Sequence, residues 1–168
     1  ANANTSILYK SSDESIATVD SLGKVSAKKA GTVIITASAE SDECYNAAVN
    51  SYELKIQKAK QNISFKKTNK PLITFNDNDN IFVNTATSDK GITDCEYSVI
   101  SGNEYIDGDI NTATGEIKIK GAGEIIVFVL FQGNDCYRAA SAYYTLTVKK
   151  AEQPIGFKQD IYEYVTGV

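Results

Sequence analysis

The feature that most limits what this chain can fold into is an internal repeat. Placing Gly23 over Gly115 sets a constant offset of 92 residues, and the matches then continue without an insertion. Ala30-Gly31 falls on Ala122-Gly123, Cys44-Tyr45 on Cys136-Tyr137, and Ala47-Ala48 on Ala139-Ala140. Tyr52 and Leu54 fall on Tyr144 and Leu146, and Lys58-Ala59, Gln61, Ile63 and Phe65 on Lys150-Ala151, Gln153, Ile155 and Phe157. Upstream, Tyr9 meets Tyr97 at an offset of 88, so the second copy carries a slightly longer loop before its glycine. A duplicated module decides the architecture before any single segment is read.

Three units follow from the register. Residues 60–151 form one whole unit, 1–59 an earlier unit lacking its first strands, and 152–168 the opening strand or strands of a third. Lys-Ala-x-Gln-x-Ile-x-Phe closes one unit and opens the next with no Gly/Ser-rich or Pro-rich spacer, which predicts a stiff junction. The chain opens at Ala1 with neither an initiator Met nor a signal peptide, and is expected to be a piece of a longer polypeptide.

Alternation with period two runs through every apolar segment. Tyr52, Leu54 and Ile56 lie on one face of their stretch, as do Tyr144, Leu146 and Val148. Thr32 to Ala37 and Glu124 to Phe131 are β-branched or aromatic runs behind Gly31 and Gly123. Ile125 to Phe131 is the longest apolar run and is too short to span a bilayer; it reads as a strand buried on both faces, or with one edge under a loop. No stretch has capped 3.6-residue periodicity. The expected class is all-β, with strands spaced as two antiparallel sheets require and almost no helix.

Composition removes several functions. The net charge is −4 and no basic cluster is present, so nucleic acid is not an expected partner; Lys66, Lys67 and Lys70 read as a solvated turn. The absence of His removes the usual proton shuttle and the commonest metal ligand. There is no Gly-x-Ser-x-Gly elbow, and Gly121-Ala122-Gly123 lacks the lysine and helix of a phosphate loop. Glu14 with Asp20 is the one carboxylate pair worth weighing for glycoside hydrolysis, and solvent-facing acids on strands are far commoner. The chain is read as not an enzyme.

Particular motifs now resemble a known family. Tyr9-Lys10-Ser11-Ser12-Asp13 through Ile16-Ala17-Thr18-Val19, Gly23-Lys24-Val25-Ser26-Ala27 and Ala30-Gly31-Thr32-Val33 are similar to the bacterial Ig-like group 2 domains of invasin- and intimin-like surface proteins. Cys44-Tyr45-Asn46-Ala47-Ala48 through Tyr52-Glu53-Leu54 to Lys58-Ala59 resembles the ending common in their arrays. The second copy departs at its front, with Tyr97-Ser98-Val99 and Ile106-Asp107-Gly108 where the family shows Ser-Ser-Asp and Ala-Thr-Val. The resemblance implies tandem immunoglobulin-like antiparallel β-sandwiches in an extracellular or cell-surface protein.

It also implies structural roles for Tyr9, Gly23, Gly31, Tyr45, Tyr97, Gly115, Gly123 and Tyr137. Gly23 and Gly115 serve tight turns, and Gly31 and Gly123 enter the central strand. Tyr45 and Tyr137 resemble a ring over the sandwich end whose hydroxyl reaches backbone. In an Ig-like strand order Cys95 and Cys136 come to one pole, so a Cys95–Cys136 disulfide is expected, worth about 3–4 kcal/mol for a loop of this length; Cys44 is then a free thiol, or pairs outside its unit. Three unpaired thiols are the alternative. No cofactor is expected. Calcium is weighed at Asp77 and Asp79 and at Asp107 and Asp109, where turn composition is the plainer reading. Asn4-Thr5-Ser6 and Asn62-Ile63-Ser64 match the glycosylation acceptor pattern, which is frequent by accident.

The expected function is a stalk or spacer whose partners are neighbouring repeats, without membrane insertion. Two alternatives remain open. Loops of the complete unit, with Tyr105 and Tyr143 as their aromatics, bind a glycan or a host protein. Or Gln153 to Tyr164 of one copy completes the open first unit of the next by strand addition.

Overall fold

The computed structural model describes residues 6–76, 79–153 and 155. Thirteen strands and a single 3-10 turn at Asn103–Tyr105 make up its regular structure. They pair as two sets that share no sheet.

The first set holds β1 (Leu8–Ser11), β2 (Ala17–Val19), β3 (Val25–Ala27), β4 (Gly31–Ala39) and β5 (Ala48–Ile56). β4 lies between β1 and β5, antiparallel to both, and β2 pairs with β3 as a separate ribbon. Its core is Ala17, Val33 and Ile35, ringed by Ile16, Val19, Val25, Leu54 and Ile56.

The second set holds β6 (Ile63–Phe65), β7 (Leu72–Thr74), β8 (Ile81–Phe82), β9 (Ala86–Ser88), β10 (Cys95–Ser101), β11 (Ile117–Lys118), β12 (Gly123–Phe131) and β13 (Ala140–Lys149). Its main sheet runs β10-β12-β13-β7, antiparallel except for the parallel pairing of β13 with β7. The ribbons β6–β9 and β8–β11 lie across a shared core from it. Ile125, Val127, Val129 and Phe131 of β12 and Tyr144, Leu146 and Val148 of β13 face Phe82, Ile117 and the half-buried Ile63 and Phe65. The long apolar run is therefore buried on alternate residues, while Ile126, Phe128 and Leu130 are only half covered.

The repeat register is a structural register. β4 and β12, nine residues each, start at the glycines 92 positions apart. Asp42 Oδ1 accepts from the Cys44 and Tyr45 amides at 2.9 and 2.7 Å, and Asn134 Oδ1 accepts from those of Cys136 and Tyr137 at 2.9 Å each. The same side-chain turn is thus built twice from different residues.

Two of the motif glycines have one physical reason in common. Gly23 and Gly115 sit at φ +79° and +72°, a region costly for residues with a Cβ. A Cβ at Gly23 would also lie 2.9 Å from the Tyr9 ring, and one at Gly115 2.7 Å from the Tyr97 ring. Tyrosine and glycine are therefore repeated as a packed pair. Gly31 and Gly123 leave room in the same way for Ile16 and Tyr105.

Candidate functional site: the junction between the strand sets

The two sets meet end to end across Lys28–Ala30 and Gln57–Ala59 on one side and Asp135–Arg138 on the other. Ala59 forms an isolated parallel bridge with Tyr137: its amide donates to Cys136 O at 2.8 Å, and its carbonyl accepts from the Arg138 amide at 2.8 Å. The Ala30 amide donates to Asp135 O at 2.9 Å. Arg138 adds two side-chain bonds, from Nε to Lys58 O at 3.1 Å and from Nη2 to Gln57 Oε1 at 3.3 Å. Each such bond contributes about 0.5–1.5 kcal/mol net. Their spread over two separate stretches of the first set resists tilting in more than one direction.

A buried glutamine anchors this contact from within the second set. Gln61 Nε2 donates to Arg138 O at 2.8 Å and to Gln132 O at 3.3 Å, while its Oε1 accepts from Ser88 Oγ at 2.7 Å. The loop it holds closes tightly on Gly133, where a Cβ would meet Tyr137 O at 2.6 Å and Ala139 N at 2.8 Å. Gln61 thus ties the segment entering β6, the end of β9 and the 132–138 loop into one piece. Sequence reading saw it only as a repeated position; the signal that marks it is an amide conserved between copies inside an otherwise apolar pattern.

The loop's direction changes two sequence expectations. Cys95 stands opposite Phe131 in the β10–β12 ladder, and the chain beyond Phe131 turns away toward the first set. The Cys136 thiol consequently donates to Lys28 O at 3.3 Å, and the expected Cys95–Cys136 bridge is not formed; both are free thiols, as is the exposed Cys44. Burial, with Asp94 nearby, pushes the Cys95 thiol above its ordinary range. The same turn puts Tyr137 at the junction groove and leaves Tyr45 exposed. The hydroxyl that reaches backbone belongs to Tyr97, which accepts from the Ala86 amide at 2.8 Å and is buried enough to raise its pKa.

The remaining candidates are dispersed. Asp107 is held by Lys118 Nζ at 2.8 Å, which lowers its pKa, and Asp109 is exposed in the same loop. Asp79 is exposed, and Asp77 lies outside the described residues. No three His, Cys, Asp or Glu side chains among the described residues converge as metal ligands. Asp20 Oδ1 accepts from the Leu22 and Lys24 amides at 2.9 Å each, so it shapes the Gly23 turn. Lys67 Nζ sits 4.2 Å over the Phe82 ring. The Asn62 amide group donates to Asp89 at 3.0 Å, and Asn4 lies outside the described residues. Tyr105 packs on Gly123, while Tyr143 is 63% exposed beside Phe128, its partner across the β12–β13 ladder.

Strand layout, the Tyr9–Gly23 pair and the Gly31 strand entry all fall within the opening part of the first set. Residues 1–43 match the bacterial Ig-like domain (group 2) family. None of the curated proteins matches the chain in sequence. Solved structures similar to it include a SusE-like surface located polysaccharide binding protein from the Bacteroides thetaiotaomicron heparin utilisation locus, at 14% identity and TM-score 0.39, over 86% of this chain and 29% of that one. Chicken VE-cadherin EC1-2 aligns at 16% identity and TM-score 0.39, over 90% of this chain and 86% of that one. Domains 1–6 of the surface layer protein SbsC align at 9% identity and TM-score 0.36, over 88% and 20%. The chain thus spans less than a third of the first of these proteins. No helix among the described residues is long and apolar enough to cross a membrane.

Proposed function

We propose that this chain is a spacer segment of a bacterial cell-surface or secreted protein, in which Ig-like units hold a more distal domain at a set distance and direction. The observation that carries this reading is the linkerless junction, where the Ala59 amide donates to Cys136 O and the Ala59 carbonyl accepts from the Arg138 amide across the two sets. The Ig-like match over residues 1–43 supports it. Units that touch only their neighbours suit such a task, because reach then scales with copy number. No catalytic constellation is needed for it.

Residual dipolar couplings on the whole chain test the idea. Both strand sets should share one alignment tensor, and four glycines inserted after Ala59 should give each its own. Independent tensors in the unmodified chain would sink the spacer reading. A second reading, recognition of a glycan, draws on the groove formed by Tyr143 and Phe128 with Asn69, Lys70, Ser141 and Thr145. Glycan-array binding that Tyr143→Ala abolishes would support it.

A further inference from the structure

Building on the glycan reading of the Tyr143 groove, we infer that its ligand is an acidic saccharide, a sugar chain carrying carboxylate or sulfate. The Tyr143 ring lies under one sugar face and Lys70 meets the negative charge.

The groove is a product of the strand register. Along β12 and β13 alternate side chains enter the core, so their neighbours emerge on the outer face of the sheet. Phe128 and Tyr143 are two of these, and they stand opposite each other in the ladder. Directly opposed residues have their Cβ atoms about 5 Å apart, so the two rings form one apolar floor. Beside it the chain entering β7 is fastened along β13. The Thr145 amide donates to Asn69 O at 3.0 Å, and the Thr147 amide to Pro71 O at 3.0 Å. This fixes Asn69 and Lys70 on the rim, with Ser141 and Thr145 as the other polar walls of a groove of about 410 Å³.

The first set serves as an internal control, because it builds the same ladder without the rings. Thr36 pairs with Ser51 in β4 and β5 just as Phe128 pairs with Tyr143, 92 residues later in each strand. Ile34 likewise pairs with Glu53 where Ile126 pairs with Thr145. The second copy therefore has two aromatic side chains where the first has two hydroxyls, and a hydroxyl where the first has an exposed carboxylate. Since Thr36 and Ser51 close the ladder equally well, pairing does not require the rings. A binding face explains both changes, and the missing carboxylate gives the sign of the ligand.

Charge around the groove agrees. It is lined by one cation and no acid, although the protein as a whole has a net charge of −4. Lys70 is exposed, and the ion pairs among the described residues, Lys90–Asp89 and Lys118–Asp107, do not engage it. A pyranose offers a C–H face that rests on the electron-rich face of an aromatic ring. Its hydroxyls both donate and accept, as do the Asn69 amide and the Ser141 and Thr145 hydroxyls. An ammonium on a flexible stem then finds the carboxylate or sulfate. One cation on an acidic protein is too little for a nucleic acid, whose affinity comes from many phosphate contacts.

A glycan array with neutral, uronate-bearing and sulfated arms, probed with the chain clustered on a multivalent carrier, tests the assignment. Binding should fall on acidic arms alone, the two acidic arms telling carboxylate from sulfate, and should weaken as salt is raised. Lys70→Gln should reduce the preference for an acidic chain over its neutral counterpart by roughly two- to fivefold, the size of an exposed ion pair. Tyr143→Ala should weaken binding by roughly five- to tenfold, and Tyr143→Phe, which keeps the ring, should restore it. Titrating the 15N-labelled chain with the best-bound acidic oligosaccharide should shift amides of residues 69–70, 126–130 and 141–145 and leave those of β4 and β5 in place. Equal binding to neutral arms overturns the acidic assignment and leaves the glycan reading standing. Silence on every arm overturns both, and a dimer that Tyr143→Ala breaks would then give the face to a second copy. Acidic binding that survives both Lys70→Gln and Tyr143→Ala also overturns the inference, because the ligand would then sit elsewhere.

Discussion

β5 and β13 carry the same alternation, flank the same kind of central strand and sit 92 residues apart, yet one is open and the other closed. Tyr144 and Leu146 are wholly buried, whereas Tyr52 is half exposed and Leu54 only partly covered. The difference lies in none of these residues. It lies in β6, β7, β8 and β9, which the second set has and which have no counterpart in the first among the described residues. Alternation assigns side chains to faces, and a second layer is what turns a face into a core. The second set accordingly has twelve buried core residues and the first has three.

The comparison breaks most sharply at the paired tyrosines. Tyr144→Ala should cost about 3–5 kcal/mol, as truncation of a large buried ring does. Tyr52→Ala should cost under about 1 kcal/mol, because the ring leaves water only in part. Chemical denaturation followed by circular dichroism separates the two, and equal costs would mean that the first set is closed in solution. Next come the turn glycines. Gly115→Ala should destabilise by about 1–3 kcal/mol, since the backbone is left-handed and the Tyr97 ring cannot retreat from its bond to the Ala86 amide. Gly23→Ala should cost less, because no such bond holds Tyr9 among the described residues; differential scanning calorimetry of both variants checks the order.

The smallest effect is acidic. Hydrogen bonds from the Ser15 hydroxyl and amide lower the pKa of Asp13 in the first set, and bonds from the Asn62 amide and side chain lower that of Asp89 in the second. A carboxylate lowered on folding contributes stability above its ordinary value of 3.8, and that contribution is lost as pH falls through the lowered value. Melting temperature should therefore fall modestly as pH drops below about 4. Asp89→Asn should remove the part of that fall that belongs to the second set.

Strands and turns were legible because they are local. Gly31 and Gly123, the turn glycines Gly23 and Gly115, and the alternation along β5 and β13 all act within a few residues, and the repeat displayed each of them twice. The junction was not legible, for the opposite reason. Arg138 stands where the first copy has Asn46, and Gln57 where the second has Lys149, so comparing the copies hides the bond between them. Contacts across some eighty residues leave no local period. The expected disulfide failed on the same point: strand order places Cys95 well, but only the path of the loop beyond Phe131 says where Cys136 goes.

The parallel ladder between β13 and β7 has a mechanical consequence. The second set is entered beside the junction and left at the end of β13, on the far side of its sheet. Tension applied through those two points is taken first by β6 against β9 and then draws β7 and β13 in opposite senses along their common direction. Their hydrogen bonds are then loaded together, in shear, rather than opened one after another as in a peeled hairpin. Pulled along its length, this half of the molecule meets its resistance where β7 lies against β13, in three residue pairs that share the load.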